Sequence, residues 1–467
     1  MTSRTASFVL PLLALLAGAG PAAAAQSRAF VWTTDFSTGG LSTIDLNTHS
    51  VSQDVEPVGS DAAMRWYAGN LYVVNRFGGD NVQVIDGTTL NTLRQISTGN
   101  GSNPQDICFL SPTKAYVTRY ELGSLLIVNP ATGGTLGTIS LAQFADADGI
   151  PEMARMVRVD RYVFVALQRL NRNGGFVPTD SSLVAVIDAE ADTVLDVDPA
   201  LPGKQAIHLT GTNPVTTFEF DRATSRLLLG CVGNFGALDG GIEWIDPVNF
   251  RSLGFAITEA ALGGDVGDVV WNGPAHSYAI VSDASFNTSL VSWSATTGLV
   301  LGTVFSPGGY SLTDAALDDR GEVYVCDNSF AHPGVSVFAA ASDTHLAGPL
   351  DCGLPAHDVT FDAPSDQVLD VPVAEGTVEL AAPEPNPATS GSHLRFALAR
   401  AGTARLEVFD PQGRRVRTLW DGPVSAGVQD IGWDLRDDSG RAVSAGVYLI
   451  RLAAAGRVDM RRIVTLR

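Results

Sequence analysis

An aspartate recurs at one place in a series of short apolar segments: Asp61, Asp106, Asp268, Asp314 and Asp358. Each stands early in its segment, as in PQDICF (104–109) and HDVTF (357–361), and Met156 and Thr217 take that place in two further copies. If these side chains meet around an axis, their charge must be relieved by protonation, hydrogen bonding or a cation. Such a ring could serve a metal-assisted hydrolase. Alternatively, each Asp bonds to backbone of the neighbouring copy and locks the stack.

Other residue types recur in the loops. An aromatic appears at Phe36, Phe77, Tyr120, Phe235, Phe286 and Phe330. Aromatic rings offer large contact area to a sugar or peptide, or each packs its own loop. Arg76, Arg119 and Arg169 occupy three successive loops. They suit a carboxylate or phosphate clamp, or pairing with nearby acids. DADG (146–149) has the flavour of a calcium loop but lacks the further acidic positions of an EF-hand. His357 beside Asp358 is a weak catalytic pair, and no G-x-S-x-G or H-E-x-x-H pattern is present. The expectation is no cofactor, with calcium as the one candidate. Cys326 and Cys352 fall on one face of neighbouring units and are a disulfide candidate, whereas Cys108 and Cys231 should be free buried thiols.

The elements that position these residues are strands. Apolar alternation marks FVWT (30–33), LYVV (71–74), AYVT (115–118), VFVA (163–166), LLLG (227–230), YAIV (278–281) and VYVC (323–326). Each is followed by a partner: LSTID (41–45), VQVID (82–86), LLIVN (125–129), VAVID (184–188), IEWID (242–246), LVSWS (290–294) and VSVFA (335–339). With the Asp-bearing segment before each pair and a fourth strand after it, seven four-stranded repeats predict an all-β, seven-bladed β-propeller over residues 26–371. HDVTF has no following partners, so it should pair with residues 30–52 and close the ring; VLDV (368–371) could add a strand at that seam.

Charge narrows the partners. The chain has 30 Lys+Arg against 50 Asp+Glu, a net −20. Residues 26–382 hold 16 basic and 41 acidic residues, so a nucleic-acid clamp, which needs clustered cations, is excluded as an expectation. From Pro383 onward 13 Arg face 9 acids, which marks a different module. A Pro- and Ala-rich linker (372–392) leads to short strands and hairpin turns over 393–467, read as a small Ig-like β-sandwich.

The repeats LYVVN (71–75) with VQVID, and AYVT with LLIVN, resemble the YVTN family of bacterial propellers. That resemblance implies the fold and leaves the function open between binding proteins and lactonase-like enzymes. Pro385-Asn386-Pro387, then Leu406–Asp410 with Gly413, Gly432-Trp433-Asp434 and Gly446-Val447-Tyr448, resemble the C-terminal sorting domain of type IX-secreted proteins and the related flagellar hook-cap Ig-like domain. This implies recognition by outer-membrane secretion machinery, with the module cleaved or attached at the surface. Arg4, the apolar run Phe8–Ala19 and Ala22–Ala25 read as a signal peptide (1–25), too short in its apolar part to span a membrane.

The expectation is therefore a secreted or cell-surface binding or scaffold propeller. Its ligand would be a small molecule, glycan or protein, and the alternative is a hydrolase using channel-mouth acids. Mass spectrometry of the exported protein is expected to find a chain that begins at Gln26 and lacks the module 393–467. An intact, cell-associated tail would count against cleavage.

Overall fold

A computed structural model of the chain describes residues 26–362 apart from 180, together with 368–369, 379–380, 383, 385–398, 402–424, 427–454 and 457–466. The expected signal peptide and part of the expected linker lie outside these residues.

Seven sheets form the propeller, six of them four-stranded and antiparallel and the blade 4 sheet six-stranded. Blade 1 is the seam. From outside to axis it runs Val51–Val58, Gly39–Asp45, Arg28–Thr34 and Ala356–Phe361, so the innermost strand comes from the far end of the domain. Val31 lies opposite Val359 and Trp32 opposite Asp358. The Asp362 carboxylate fastens the join by accepting the Ser27 and Arg28 amides at 2.7 and 2.9 Å. Blades 2 to 7 start at the inner strands Ala62–Tyr67, Pro104–Ser111, Met153–Val159, Glu219–Asp221, Asp265–Val270 and Leu312–Leu317, and each meanders outward. Blade 4 departs from the rule. Its outer edge is split between Thr193–Val194 and Ile207–His208, which pair with opposite ends of Leu183–Asp188.

Burial follows position in the blade. The second strands, such as Tyr162–Leu167 and Glu322–Asp327, are buried almost throughout, because both faces pack against neighbouring blades. The outermost strands, such as Thr92–Ser97, are largely exposed. Aromatic contacts bridge blades: Tyr67 stacks on Phe109 at 4.3 Å, Phe30 on Trp66 at 5.2 Å, and Tyr324 meets Phe361 edge-on at 5.3 Å. The Asp that ends many third strands is turn chemistry. Asp45 accepts the Asn47 and Thr48 amides, and Asp86 those of Thr88 and Thr89, which holds both carboxyls below the usual carboxylate range.

The C-terminal module has two sheets. One is Glu379–Leu380, Ser392–Leu398 and Gly427–Trp433; the other is Arg415–Val424, Gly402–Phe409, Gly446–Ala454 and Arg457–Thr465. Leu406, Ile450, Leu452, Ile463, Phe396 and Trp433 fill the space between them. Two expectations shift. Part of the expected linker belongs to the sandwich: Glu379–Leu380 is a strand, and Ala388 bridges to Thr465. Val368–Leu369 pairs in parallel with Arg158–Val159, on the axial edge of the blade 4 inner strand, and not at the seam.

Phe30 is fully buried in the seam strand beneath Trp66. Phe30→Ala is expected to cost about 3–5 kcal/mol, as buried Phe truncations do. Urea unfolding of the purified protein measures it; a loss below 1 kcal/mol would contradict a seam that bears on the whole ring.

Candidate functional site

The inner strands surround the propeller axis and leave a cavity of 460 Å³ there. Arg65, Arg155, Glu219, Asp314 and Asp358 line it, with Trp271 among the apolar wall residues. Four aspartates recur around this axis, each bonded sideways. Asp106 accepts the Met156 amide of blade 4 at 2.8 Å, Asp268 the Ala315 amide of blade 7 at 2.9 Å, Asp314 the Val359 amide of blade 1 at 2.8 Å, and Asp358 the Met64 amide of blade 2 at 3.3 Å. The recurring carboxylate is therefore a blade-to-blade lock.

Two register corrections follow. Asp61 is not in the ring. It precedes the inner strand of blade 2, is a third exposed, and pairs with Arg76; Ala63 takes the slot, opposite Val74. In blade 4 the slot belongs to Arg155, not Met156: Met156 is the residue after the slot, whose amide goes to the preceding blade's Asp, and Met153–Met156 bulge as Pro104–Ile107 do around Asp106. Thr217 lines the cavity in blade 5.

Sequence reasoning missed the cations on the axis. Arg65 holds Asp106 with two nitrogens, Nε to Oδ1 at 2.9 Å and Nη2 to Oδ2 at 3.2 Å. Arg155 donates to the Gln105 carbonyl at 3.1 Å and has no ion pair among the described residues within 4.0 Å. Burial raises the Asp268 carboxyl to about 7 and Glu219 to about 8. Asp314 is pushed well above its ordinary value by burial and by Asp358 and Asp268; Asp358 is raised by burial against the pull of Arg155 and Arg65. The signal for Arg155 was present in ARMVRV, but alternation alone places it one residue out of phase.

The mouth is built by loops after the second strands. Phe36, Phe77, Phe235, Phe286 and Phe330 stand out from it, with exposures from 64% at Phe286 to 104% at Phe330. They do not pack their own loops. Phe36 and Phe286 hold left-handed backbone, φ 64° and 60°, and so does exposed Phe176, φ 61°, in the long loop of blade 4. For bulky residues this is a strained conformation. Tyr120 differs, being half-buried under the Arg172 guanidinium.

The three arginines do not converge. Arg76 is bound to Asp61, with Nε to Oδ1 at 2.7 Å. Arg119 is buried and donates to the Ser124 carbonyl and hydroxyl. Arg169 donates to the Ser181 carbonyl at 2.6 Å. Each of the three fastens a loop. Arg172, which sequence reasoning passed over, does more: it pairs with Glu121 and with buried Glu152, and lies 4.0 Å from Asp148. The cation that DADG faces is thus an arginine, which does not fit a calcium loop. Among the described residues no group of three or more His, Cys, Asp or Glu is disposed to hold a metal. His357 turns away from Asp358, as successive strand residues do, and meets Phe36 at 5.0 Å; burial lowers it to about 4.

Cys326 and Cys352 share one apolar cluster but remain free thiols, so the expected bridge is not formed; the Cys352 thiol instead donates to the Leu350 carbonyl. Cys108 and Cys231 are also free and buried. In the sandwich, Asn386 accepts the Val464 amide and donates to the Arg462 carbonyl, while exposed Pro385 and Pro387 flank it. Tyr448 packs edge-on against Trp433 and donates to the Ser444 carbonyl, and the Gly446 amide donates to Thr465. These motif residues hold the last strand in place.

Fold and site define an all-β chain: a seven-bladed β-propeller with a small Ig-like sandwich after it. Residues 386–457 match the FlgD Ig-like domain family. Solved structures similar to this chain include hydrazine synthase of Kuenenia stuttgartiensis, at 14% identity over 61% of this chain and 78% of that one, TM-score 0.45. A functionally unknown protein of Desulfotomaculum acetoxidans is similar at 13% identity over 72% and 99%, TM-score 0.47. A protein of unknown function from Bacteroides caccae is similar at 12% identity over 72% and 98%, TM-score 0.40. Likeness at this level carries no activity from those proteins to this chain. No curated protein matches.

The raised carboxyls give a pH dependence of known sign. Glu152 and Glu259, like Asp268, are pushed by burial to about 7, and Glu219 to about 8. At neutral pH each keeps in the folded chain a share of the proton it has lost in the unfolded chain, so rising pH removes stability. His357, lowered to about 4, acts with the opposite sign only below its ordinary value near 6.5. The melting temperature should fall between about pH 6.5 and pH 8.5, and fall less in Glu219→Gln. A flat or rising profile contradicts this assignment.

Proposed function

We propose that this chain is a secreted, surface-delivered binding propeller whose mouth takes an extended glycan, with the C-terminal module serving export. The observation that carries the reading is the set of Phe36, Phe77, Phe235, Phe286 and Phe330, each on its own loop of one face and each open to solvent. Left-handed backbone at Phe36 and Phe286 costs on the order of 1 kcal/mol or more each, and folding gains nothing from a ring left in water. Spaced rings suit flat sugar faces. Each recurring axial Asp bonds one blade to the next, a structural duty that favours binding over a hydrolase built on them.

For the C-terminal module, support comes from the FlgD Ig-like match and from the resemblance of Pro385–Pro387, Gly432–Asp434 and Gly446–Tyr448 to type IX sorting domains. Secretion machinery of the outer membrane is its proposed partner.

The test is retention on an array of neutral oligosaccharides, including chito- and cello-oligosaccharides. Native protein should be retained on at least one. A variant with Phe36, Phe77, Phe235, Phe286 and Phe330 all replaced by Ser should lose at least tenfold, with melting little changed because the rings are exposed and, among the described residues, only Phe36 has a ring contact, to His357. Equal retention of the variant, or no retention of either protein, sinks the glycan reading.

A further inference from the structure

The axial cavity is separate from the aromatic mouth and has a charge layout of its own. Arg155 projects into it from blade 4, while Asp314 and Asp358 line it from blades 7 and 1. Electrostatic interaction joins Arg155 to Asp314, Asp358 and Asp268, yet none of these carboxylates forms an ion pair with it within 4.0 Å. The guanidinium uses one donor, to the Gln105 carbonyl, and keeps the rest free of described partners. Asp314 and Asp358 are each bonded to backbone through Oδ2, at Val359 and Met64, which leaves the Oδ1 atoms. Arg65 is paired with Asp106 and also acts electrostatically on Asp358 and Asp314; Arg158, held by the Leu110 and Asp160 carbonyls, lines the cavity too, with Arg222 and Glu219. A cation and two acid side chains thus face one gap without closing it; both acids hold protons more tightly than usual, and an ammonium set between them would favour the ionised form and release a proton to solvent.

A volume of 460 Å³ lies in the range of small-molecule sites. Trp271 and Phe361 give that volume an apolar wall. A ligand that is only an anion would meet the acids, and one that is only a cation would meet Arg155. Both charges on one small molecule satisfy the gap, and burial strengthens each contact if both are made.

We propose that this cavity binds a small zwitterion of the amino-acid type, its carboxylate on Arg155 and its ammonium on Asp314 and Asp358. The site is independent of the mouth and of any glycan held there.

Titration calorimetry of the intact protein with glycine, L-alanine and 4-aminobutyrate tests it, with acetate and ethylamine as half-ligands. At least one zwitterion should bind saturably at millimolar concentration or below, and at least tenfold tighter than either half-ligand. Arg155→Met and Asp314→Asn should each weaken it at least tenfold. The Asn substitution keeps an oxygen for the Val359 amide, so the blades stay locked. If Arg155→Met does not fold, Arg155→Lys keeps the charge without the planar fork and should weaken binding by a smaller factor. The five-Ser mouth variant should bind the zwitterion unchanged. No heat from any zwitterion, ethylamine binding as tightly as the zwitterion, or equal loss in the mouth variant would each overturn the proposal.

Discussion

Closure of the ring is the constraint on which the remaining structure depends. A four-stranded blade has two apolar faces and can bury both only between neighbours. Six blades stacked in a row would leave two such faces in water. Pairing Arg28–Thr34 with Ala356–Phe361 makes the seventh blade from both ends of the domain and removes both. Bringing ends more than 300 residues apart together costs on the order of 5 kcal/mol of chain entropy. Burial of Phe30, Val31, Val359 and Phe361 in that blade outweighs it at roughly 1.5–3 kcal/mol per side chain.

The same geometry produces the chemistry of the axis. Inner strands converge, so an Asp that bonds to the next blade's backbone is drawn towards its counterparts in other blades. Four such locks concentrate carboxylates where water is scarce. Arg65 neutralises one, and the others respond by holding protons more tightly. The channel's polarity is thus a by-product of blade stacking, until Arg155 breaks the repeat. Blade 4 bulges at the same place as the Asp-bearing blades but carries Arg155 in the slot that carboxylates fill elsewhere. That exception turns a structural ring into an asymmetric pocket.

Mouth and axis obey different rules. On the axis, recurrence means structural duty, since each Asp serves its neighbour. At the mouth, recurrence has no packing duty: the phenylalanines are exposed, and some sit on strained backbone. The arginines there were the opposite case. Arg76, Arg119 and Arg169 look like a clamp in sequence, but each is consumed within or beside its own loop. Recurrence in sequence therefore does not by itself separate recognition from architecture; exposure and partners do.

The sequence by itself determined the seven blades, the seam and the Ig-like module, because strand alternation and turn residues are local signals repeated many times. It also placed the recurring aspartates within a residue or two. Only the tertiary structure decided that Asp61 leaves the axis, that Arg155 replaces Met156 there, that Cys326 and Cys352 stay reduced, and that the phenylalanines face water. Each of those outcomes turns on a one-residue register shift or on a neighbour supplied by a distant blade. A period-two pattern is blind to a bulge, and a linear chain does not display which groups its folding brings side by side.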